Sequence, residues 1–230
     1  MSTGVVVFGR EPVPGRVKTR LAARLGAAAA AAVYEALLTH ALAEATATGW
    51  HVTLSLAEAP SPGWRPPAAV AMEVQPPGSL GERMAAAFRR AFAANRDPVV
   101  LVGSDLPLLS RSHLADAAEG AGRRGVALGP ALDGGYYLVA QRAPGLDLFD
   151  AIPWSSPRTF EATLARARSL GVEPALLPLL PDADTTGDLR EALTNPGLDT
   201  GLRAVIGAAL SRAQGRTLRD GSGGAEEETP

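Results

Sequence analysis

The stretch GVVVFGREPVPGRVKTRLAARLG, residues 4–26, decides the reading of the chain. Residues 4–8 are apolar on both faces and contain three consecutive valines, which predicts a buried strand ended by Gly9. From Val17 to residue 47 the chain is rich in Ala, Leu and Arg, with Gly26 inside, which predicts a short helix, a break and a longer helix. The loop between strand and helix holds four cations, Arg10, Arg16, Lys18 and Arg20. Gly9 and Gly15 permit tight backbone there, and Pro12 and Pro14 stiffen it. A stiff cationic loop running into a helix suits a polyphosphate, with side chains supplying charge and backbone N–H groups supplying donors. A solvated basic loop is the lesser alternative. It is not a P-loop. Five residues separate Gly9 from Gly15, Arg16-Val17 precede Lys18-Thr19, and the prolines remove N–H donors. The G-x-G-x-x-G dinucleotide fingerprint is absent as well.

Outward from this stretch, strands and helices alternate. Strands are predicted at 51–57, 70–75, 98–103, 125–130 and 136–141, and at 173–181, where the prolines mark an edge. Helices are predicted at 80–96 (with Leu80, Met84, Phe88 and Phe92 on one face), after Ser110, at 156–171, at 186–195 and over 199–212. The alternation predicts an α/β fold: a mostly parallel sheet with helices on both faces, and ligands beyond the carboxyl ends of its strands. One domain over 1–212 is expected, then a glycine-rich, acidic, disordered tail over 213–230.

Composition narrows the function. A net charge of −2 gives no electrostatic case for nucleic acid or an anionic membrane as partner. With no cysteine, disulfides, thiolate metal sites and cysteine nucleophiles are excluded. Neither a signal-peptide pattern nor a run near the ~20 apolar residues of a membrane span is visible, so a cytoplasmic protein is expected. His40, His51 and His113 stand without metal-ligand spacing.

The carboxylates fall where strands end. VVLVGSDLPLL (99–109) delivers Ser104 and Asp105 from an apolar strand. Asp105 there suits Mg²⁺ or Mn²⁺ and, through it, a diphosphate; it also suits a turn or a helix cap. GPALDGGYYLVA (129–140) sets Asp133 in a tight turn that a hairpin would itself require, followed by two tyrosines that suit either stacking or core. LPDADTTGDL (180–189) offers Asp182, Asp184 and Asp188, with Asp184 or Asp182 a second metal ligand if its strand neighbours that of Asp105, or with Asp184, Thr185 or Thr186 capping the next helix. In QPPGSLGERM (75–84), Gln75 can hydrogen-bond a base edge, Gly78 and Gly81 admit a flat ring, and Arg83 adds a cation.

Taken together, FGREPVPGRVKTRLA, PPGSLGERM, GSDLP, LGPALDGGYYL, IPWSSPRTFEATL and DADTTGDL resemble a bacterial family whose members are described as GT-A-like glycosyltransferases associated with radical-SAM proteins or arsenosugar biosynthesis. VKTRLA is also similar to phospholactate guanylyltransferases. The family is acidic where Ser79 stands here. The resemblance implies the nucleotide-diphospho-sugar transferase fold and a metal-dependent transferase. Glycosyl transfer from a sugar nucleotide to a small acceptor comes first. Nucleotidyl transfer from an NTP to a phosphorylated metabolite comes second, and a non-catalytic nucleotide-binding partner third. It implies Mg²⁺ or Mn²⁺ on Asp105 and Asp184. Gly9, Gln75, Gly78, Gly81, Arg83 and Ser104 would line the nucleotide, and Arg10, Arg16, Lys18 and Arg20 its phosphates. Asp133, Gly134, Gly135, Tyr136 and Trp154 would face the acceptor, with Asp105, Lys18 and Asp133 catalytic.

Overall fold

The computed structural model describes residues 2–142 and 146–221, of which 215–221 are described as backbone only. They fall into two compact units, Met1–Glu11 with Leu37–Asp182, and Pro12–Ala36 with Ala183–Pro230.

The larger unit carries the sheet. Its strands are β1 (Ser2–Gly9), β2 (His51–Leu56), β3 (Ala71–Val74), β4 (Arg96–Gly103), β5 (Val126–Pro130), β6 (Tyr136–Gln141) and β7 (Ala175–Leu176), in the order β3-β2-β1-β4-β6-β5-β7. β1 pairs in parallel with β2 and β4, and β2 with β3. β6 runs antiparallel between β4 and β5, and β7 joins β5 in parallel. The sheet is thus mixed and mostly parallel.

Valines and leucines with period two face both ways, so both faces are covered. On one face Val6, Val99, Leu101, Leu128 and Val139 meet Met84 and Phe88 of α3 (Leu80–Ala93) and Ala167 of α5 (Thr159–Ser169). Burying each large side chain of that set stabilises the fold by roughly 1.5–3 kcal/mol. On the other face lies α4 (Arg111–Arg124), where a Cβ on Gly120 would stand 3.3 Å from Ala127 Cβ and 2.7 Å from Ala175 Cβ. Glycine lets this helix lie close to β5 and β7. The expected stripe on α3 holds at Met84 and Phe88 and partly at Phe92, but Leu80 in its first turn is exposed. Buried Gly81 lies against Trp154 there instead.

The strand expected over 173–181 is two residues long, with an isolated bridge between Ala131 and Leu180. Pro178 has no N–H to continue the ladder. Its carbonyl accepts the Tyr137 hydroxyl at 3.1 Å instead.

The smaller unit holds α1 (Thr19–Leu25), α6 (Thr186–Thr194), α7 (Thr200–Gly221) and the first part of α2 (Ala27–Thr46). Gly26 breaks α1 from α2 where the sequence predicts it. Helix α7 runs past the start of the stretch expected as a disordered tail, and residues 222–230 of that tail lie outside the described residues. No helix among the described residues is long and apolar enough to cross a membrane.

Ser110 begins α4 as expected, with an unexpected partner. Its N–H donates to Nδ1 of His113 at 3.1 Å, and its hydroxyl lies 2.8 Å from the same nitrogen. Burial holds the His113 imidazole below its ordinary value of 6.5, against the opposing pull of Asp116 and Glu44. The fold therefore favours the neutral ring. The stability it contributes is in place above that ordinary value and is lost as pH falls below it. Denaturant melts between about pH 7 and about pH 5 should show wild type losing more stability than His113→Gln.

Candidate functional site

Parallel register builds a rim in the larger unit. Gly9 is level with Leu56, Leu56 with Val74, and Phe8 with Gly103. The residues that follow, Arg10, Ala57, Gln75 and Ser104-Asp105, leave the sheet along one edge. β6 runs the other way, with Leu138 opposite Val102, and Pro130 of β5 is opposite Tyr136. The β5–β6 loop that carries Asp133 therefore sits on the same edge. This is the carboxyl edge at which α/β sheets hold ligands.

Ser104 is buried, and Asp105 just beyond it is half-buried with Oδ1 shielded from solvent. Gly9 is buried, and its carbonyl accepts the N–H of Ala57 at 3.0 Å. Arg10 is exposed and lies 3.4 Å from the Glu58 carboxylate. Nothing local in the sequence marks Glu58, because the β1–β2 register that brings it to Arg10 is a tertiary property. An exposed pair of this kind holds weakly, by about 0–1 kcal/mol.

Several residues expected to line a nucleotide are engaged by the chain itself. Gln75 is buried and its amide donates to the Ser55 carbonyl at 2.9 Å. Arg83 Nε donates to the Gly78 carbonyl at 3.0 Å. A Cβ on Gly81 would come within 2.7 Å of the Trp154 ring. Gly78 has φ +132°, and a Cβ there would stand 2.6 Å from the Glu82 carboxylate. Ser79, where the resembling family is acidic, is the N-cap of α3. Its hydroxyl accepts the Glu82 N–H at 3.3 Å, and the Glu82 carboxylate accepts the Ser79 N–H at 2.7 Å. These hydrogen bonds hold the Glu82 carboxyl below its ordinary range. Ser-x-x-Glu is a capping-box pattern legible in the sequence, and an aspartate at Ser79 would cap as well.

The residues expected to face the acceptor form a packed group. Tyr136 and Trp154 meet edge to face with centroids 6.3 Å apart, and Tyr136 points its hydroxyl at Met84 Sδ, 3.9 Å away. Burial pushes the Tyr136 phenol well above its ordinary range. Tyr137, on the opposite face, is pushed up to about 12 by burial and, secondarily, by Asp116. Asp133 is exposed, and its Oδ1 accepts the Gly135 N–H at 2.8 Å, closing a side-chain turn. Gly134 adopts φ +84°, its carbonyl accepts the Phe160 N–H at 2.8 Å, and a Cβ there would lie 2.1 Å from the Pro157 carbonyl oxygen. Gly134→Ala should cost about 2–4 kcal/mol by strain and overlap, whereas Asp133→Asn should preserve the turn; thermal melts distinguish them.

The loop after β1 divides between the units: Arg10 belongs to the larger, and Arg16, Lys18 and Arg20 to the smaller. In the smaller unit Lys18 starts α1 in the left-handed region, at φ 46° and ψ 49°. Its Nζ lies 2.8 Å from Asp184 Oδ1, and Arg20 lies 3.5 Å from the other carboxylate oxygen. Asp184 therefore carries two cations. Asp188 Oδ2 accepts the N–H groups of Asp184 (3.0 Å) and Thr185 (2.6 Å), while Thr185 accepts that of Asp188 at 3.2 Å. Thr185, one of the three residues read as caps, begins α6. The condition set for a metal ligand beside Asp105 fails in the sheet, since β6 and β5 separate β7 from β4.

The Lys18 side chain is only 4% exposed, so losing a carboxylate leaves a poorly solvated ammonium. Asp184→Asn should therefore destabilise the full-length chain by about 1–3 kcal/mol in urea. A change within about 0.5 kcal/mol, ordinary for surface substitutions, would remove the pair from any account of this unit.

Sheet order, two-sided helical cover and a carboxyl-edge rim define the nucleotide-diphospho-sugar transferase type of α/β fold. The chain belongs to the family described as uncharacterized protein conserved in bacteria (DUF2064), whose model matches residues 37–156. A protein from Desulfovibrio desulfuricans G20, provisionally described as a nucleotide-diphospho-sugar transferase, has a crystal structure with TM-score 0.84 and 28% identity, over 94% of this chain and 98% of that one. Rv0371c of Mycobacterium tuberculosis H37Rv has TM-score 0.50 and 18% identity, over 85% of this chain and 99% of that one, which speaks to the fold alone. No curated protein matches the sequence.

Proposed function

We propose that this protein is a transferase that binds a nucleotide-diphosphate donor on the rim, and that its reaction is glycosyl transfer from a sugar nucleotide to a small acceptor. The observation that carries this reading is Asp105, delivered by the inner strand β4 to the edge where β1, β2 and β3 also end. The full-length likeness to the Desulfovibrio protein supports the choice of donor class.

Among the described residues no three acidic or imidazole side chains gather as a metal centre. A cation such as Mg²⁺ or Mn²⁺ needs few protein ligands when phosphate and water oxygens complete its shell, and the Asp105 carboxylate fits that use. Asp184 does not fit, because its carboxylate already holds Lys18 and Arg20. When bound, the divalent ion neutralises charge on the leaving diphosphate.

The chain's own residues do the rest. Arg10, exposed on the rim, offers a guanidinium to the donor phosphates. Gly9 and Ser104 form the floor of the rim. Trp154 and Tyr136 give the acceptor side a fixed aromatic wall. Asp133 is the base for a hydroxyl acceptor, while a phosphate acceptor needs none. The second reading, nucleotidyl transfer from an NTP to a phosphorylated metabolite, draws on the same Asp105 and Arg10 and differs in its donor and acceptor.

A thermal-shift panel in Mg²⁺ or Mn²⁺ tests both. Stabilisation by one sugar nucleotide and its NDP is expected, by several degrees at ~100 times Kd, with Asp105→Asn abolishing the metal-dependent part. Stabilisation by an NTP alone establishes the second reading. Metal-dependent shifts that survive in Asp105→Asn overturn the assignment of Asp105.

A further inference from the structure

At the opposite end of the same sheet, a cavity of about 130 Å³ opens between the amino-terminal halves of β1 and β2 and the last turns of α3. It is some six residues, about 20 Å, along β1 from the rim. Its polar lining is His51, Thr53, Glu73, Arg90 and Arg96. None of these belongs to the rim.

The charges do not cancel. Glu73 accepts the Ser55 hydroxyl at 2.9 Å and lies 3.4 Å from Arg90, which also donates to the Val74 carbonyl at 3.1 Å. One carboxylate is therefore matched by one guanidinium. Arg96 is the surplus cation. Its stem crosses Gly4, where a Cβ would come within 3.0 Å of Arg96 Cβ. One end of its guanidinium donates to the neutral Ser2 hydroxyl at 2.6 Å. Its Nε is covered by the protein and has no hydrogen-bond partner among the described residues, so the outer nitrogens are the ones that can meet a ligand.

We propose that this cavity binds a small oxyanion, a phosphate or a short carboxylate. The anion's oxygens meet the guanidinium groups of Arg96 and Arg90 at their outer nitrogens, and the Thr53 hydroxyl. The cavity admits such an ion and lies at the opposite end of the sheet from the donor rim, so the two sites are separate. The proposal does not rest on the transferase reading.

The test is thermal unfolding of the full-length protein in inorganic phosphate, sulfate, acetate or malonate, with ionic strength matched by sodium chloride. Wild type should melt several degrees higher in the preferred anion at ~100 times Kd. Arg96→Gln and the cavity-filling Ala91→Leu should each remove that rise, and Arg10→Gln on the rim should keep it. A response to phosphate and sulfate assigns a tetrahedral oxyanion; a response to acetate or malonate assigns a carboxylate. The proposal is overturned if no anion exceeds chloride, if the rise survives Arg96→Gln and Ala91→Leu, or if Arg10→Gln abolishes it. Should Arg96→Gln fail to fold, Arg90→Gln takes its place beside Ala91→Leu.

Discussion

Everything on the rim depends on the parallel pairing of β1 with both β2 and β4. A parallel ladder cannot be closed by a tight turn, so each strand must be followed by a loop and a crossover. Three strand ends, and β3 beside them, are thereby forced onto one edge with their loops. The hydrogen-bonded register fixes the levels: one residue of slip between β1 and β4 would carry Asp105 to a different height and turn Val99 and Leu101 away from α3. The apolar alternation that makes the core is therefore also what aligns Arg10 with Asp105 along the rim.

The sequence makes this architecture legible because period and punctuation are local. GVVVF, PVVLVG and the glycine at 26 carry their own signals, and β1, β4 and the α1–α2 break follow them. The capping boxes at Ser79–Glu82 and Thr185–Asp188 are local too, although Ser79 draws attention for its chemistry before its cap. What is not legible is who meets whom across the fold. Nothing near Gly81 announces Trp154, and nothing near Gln75 announces the Ser55 carbonyl. In both cases a residue that reads as open to a ligand meets another part of the chain. The prolines of 173–181 predict an edge strand correctly but not its length, since the missing N–H of Pro178 acts only once β5 is beside it.

Asp184 shows the same limit for charge. An acidic residue in a DADTTGD run reads as a metal ligand because carboxylates bind metals, but a carboxylate also holds an ammonium. Here Lys18, held in a left-handed conformation at the start of a helix, takes that role. A non-glycine residue in this region costs on the order of 1–3 kcal/mol and persists only where its surroundings require it. The ion pair supplies such a requirement. The strain and the pairing therefore belong to one arrangement, built within the smaller unit from residues 166 apart in sequence.

Fold alone does not choose between glycosyl and nucleotidyl transfer. Both reactions expel or shift negative charge on a diphosphate, so a carboxylate for a divalent ion and a nearby guanidinium serve either. The reactions part at the other substrate. A hydroxyl acceptor needs a base and an oriented ring, whereas a phosphate acceptor needs countercharge. In the larger unit the residues proposed to face the acceptor are held by the chain: Trp154 is packed against Gly81 and Tyr136, and the Asp133 turn is pinned through Gly134 to Pro157 and Phe160. The β5–β6 hairpin itself carries no cation, and its one carboxylate is exposed. Under the proposed reading, two aromatic rings beside an exposed acid suit a neutral, ring-bearing acceptor better than a phosphate, which is why the proposal places glycosyl transfer first.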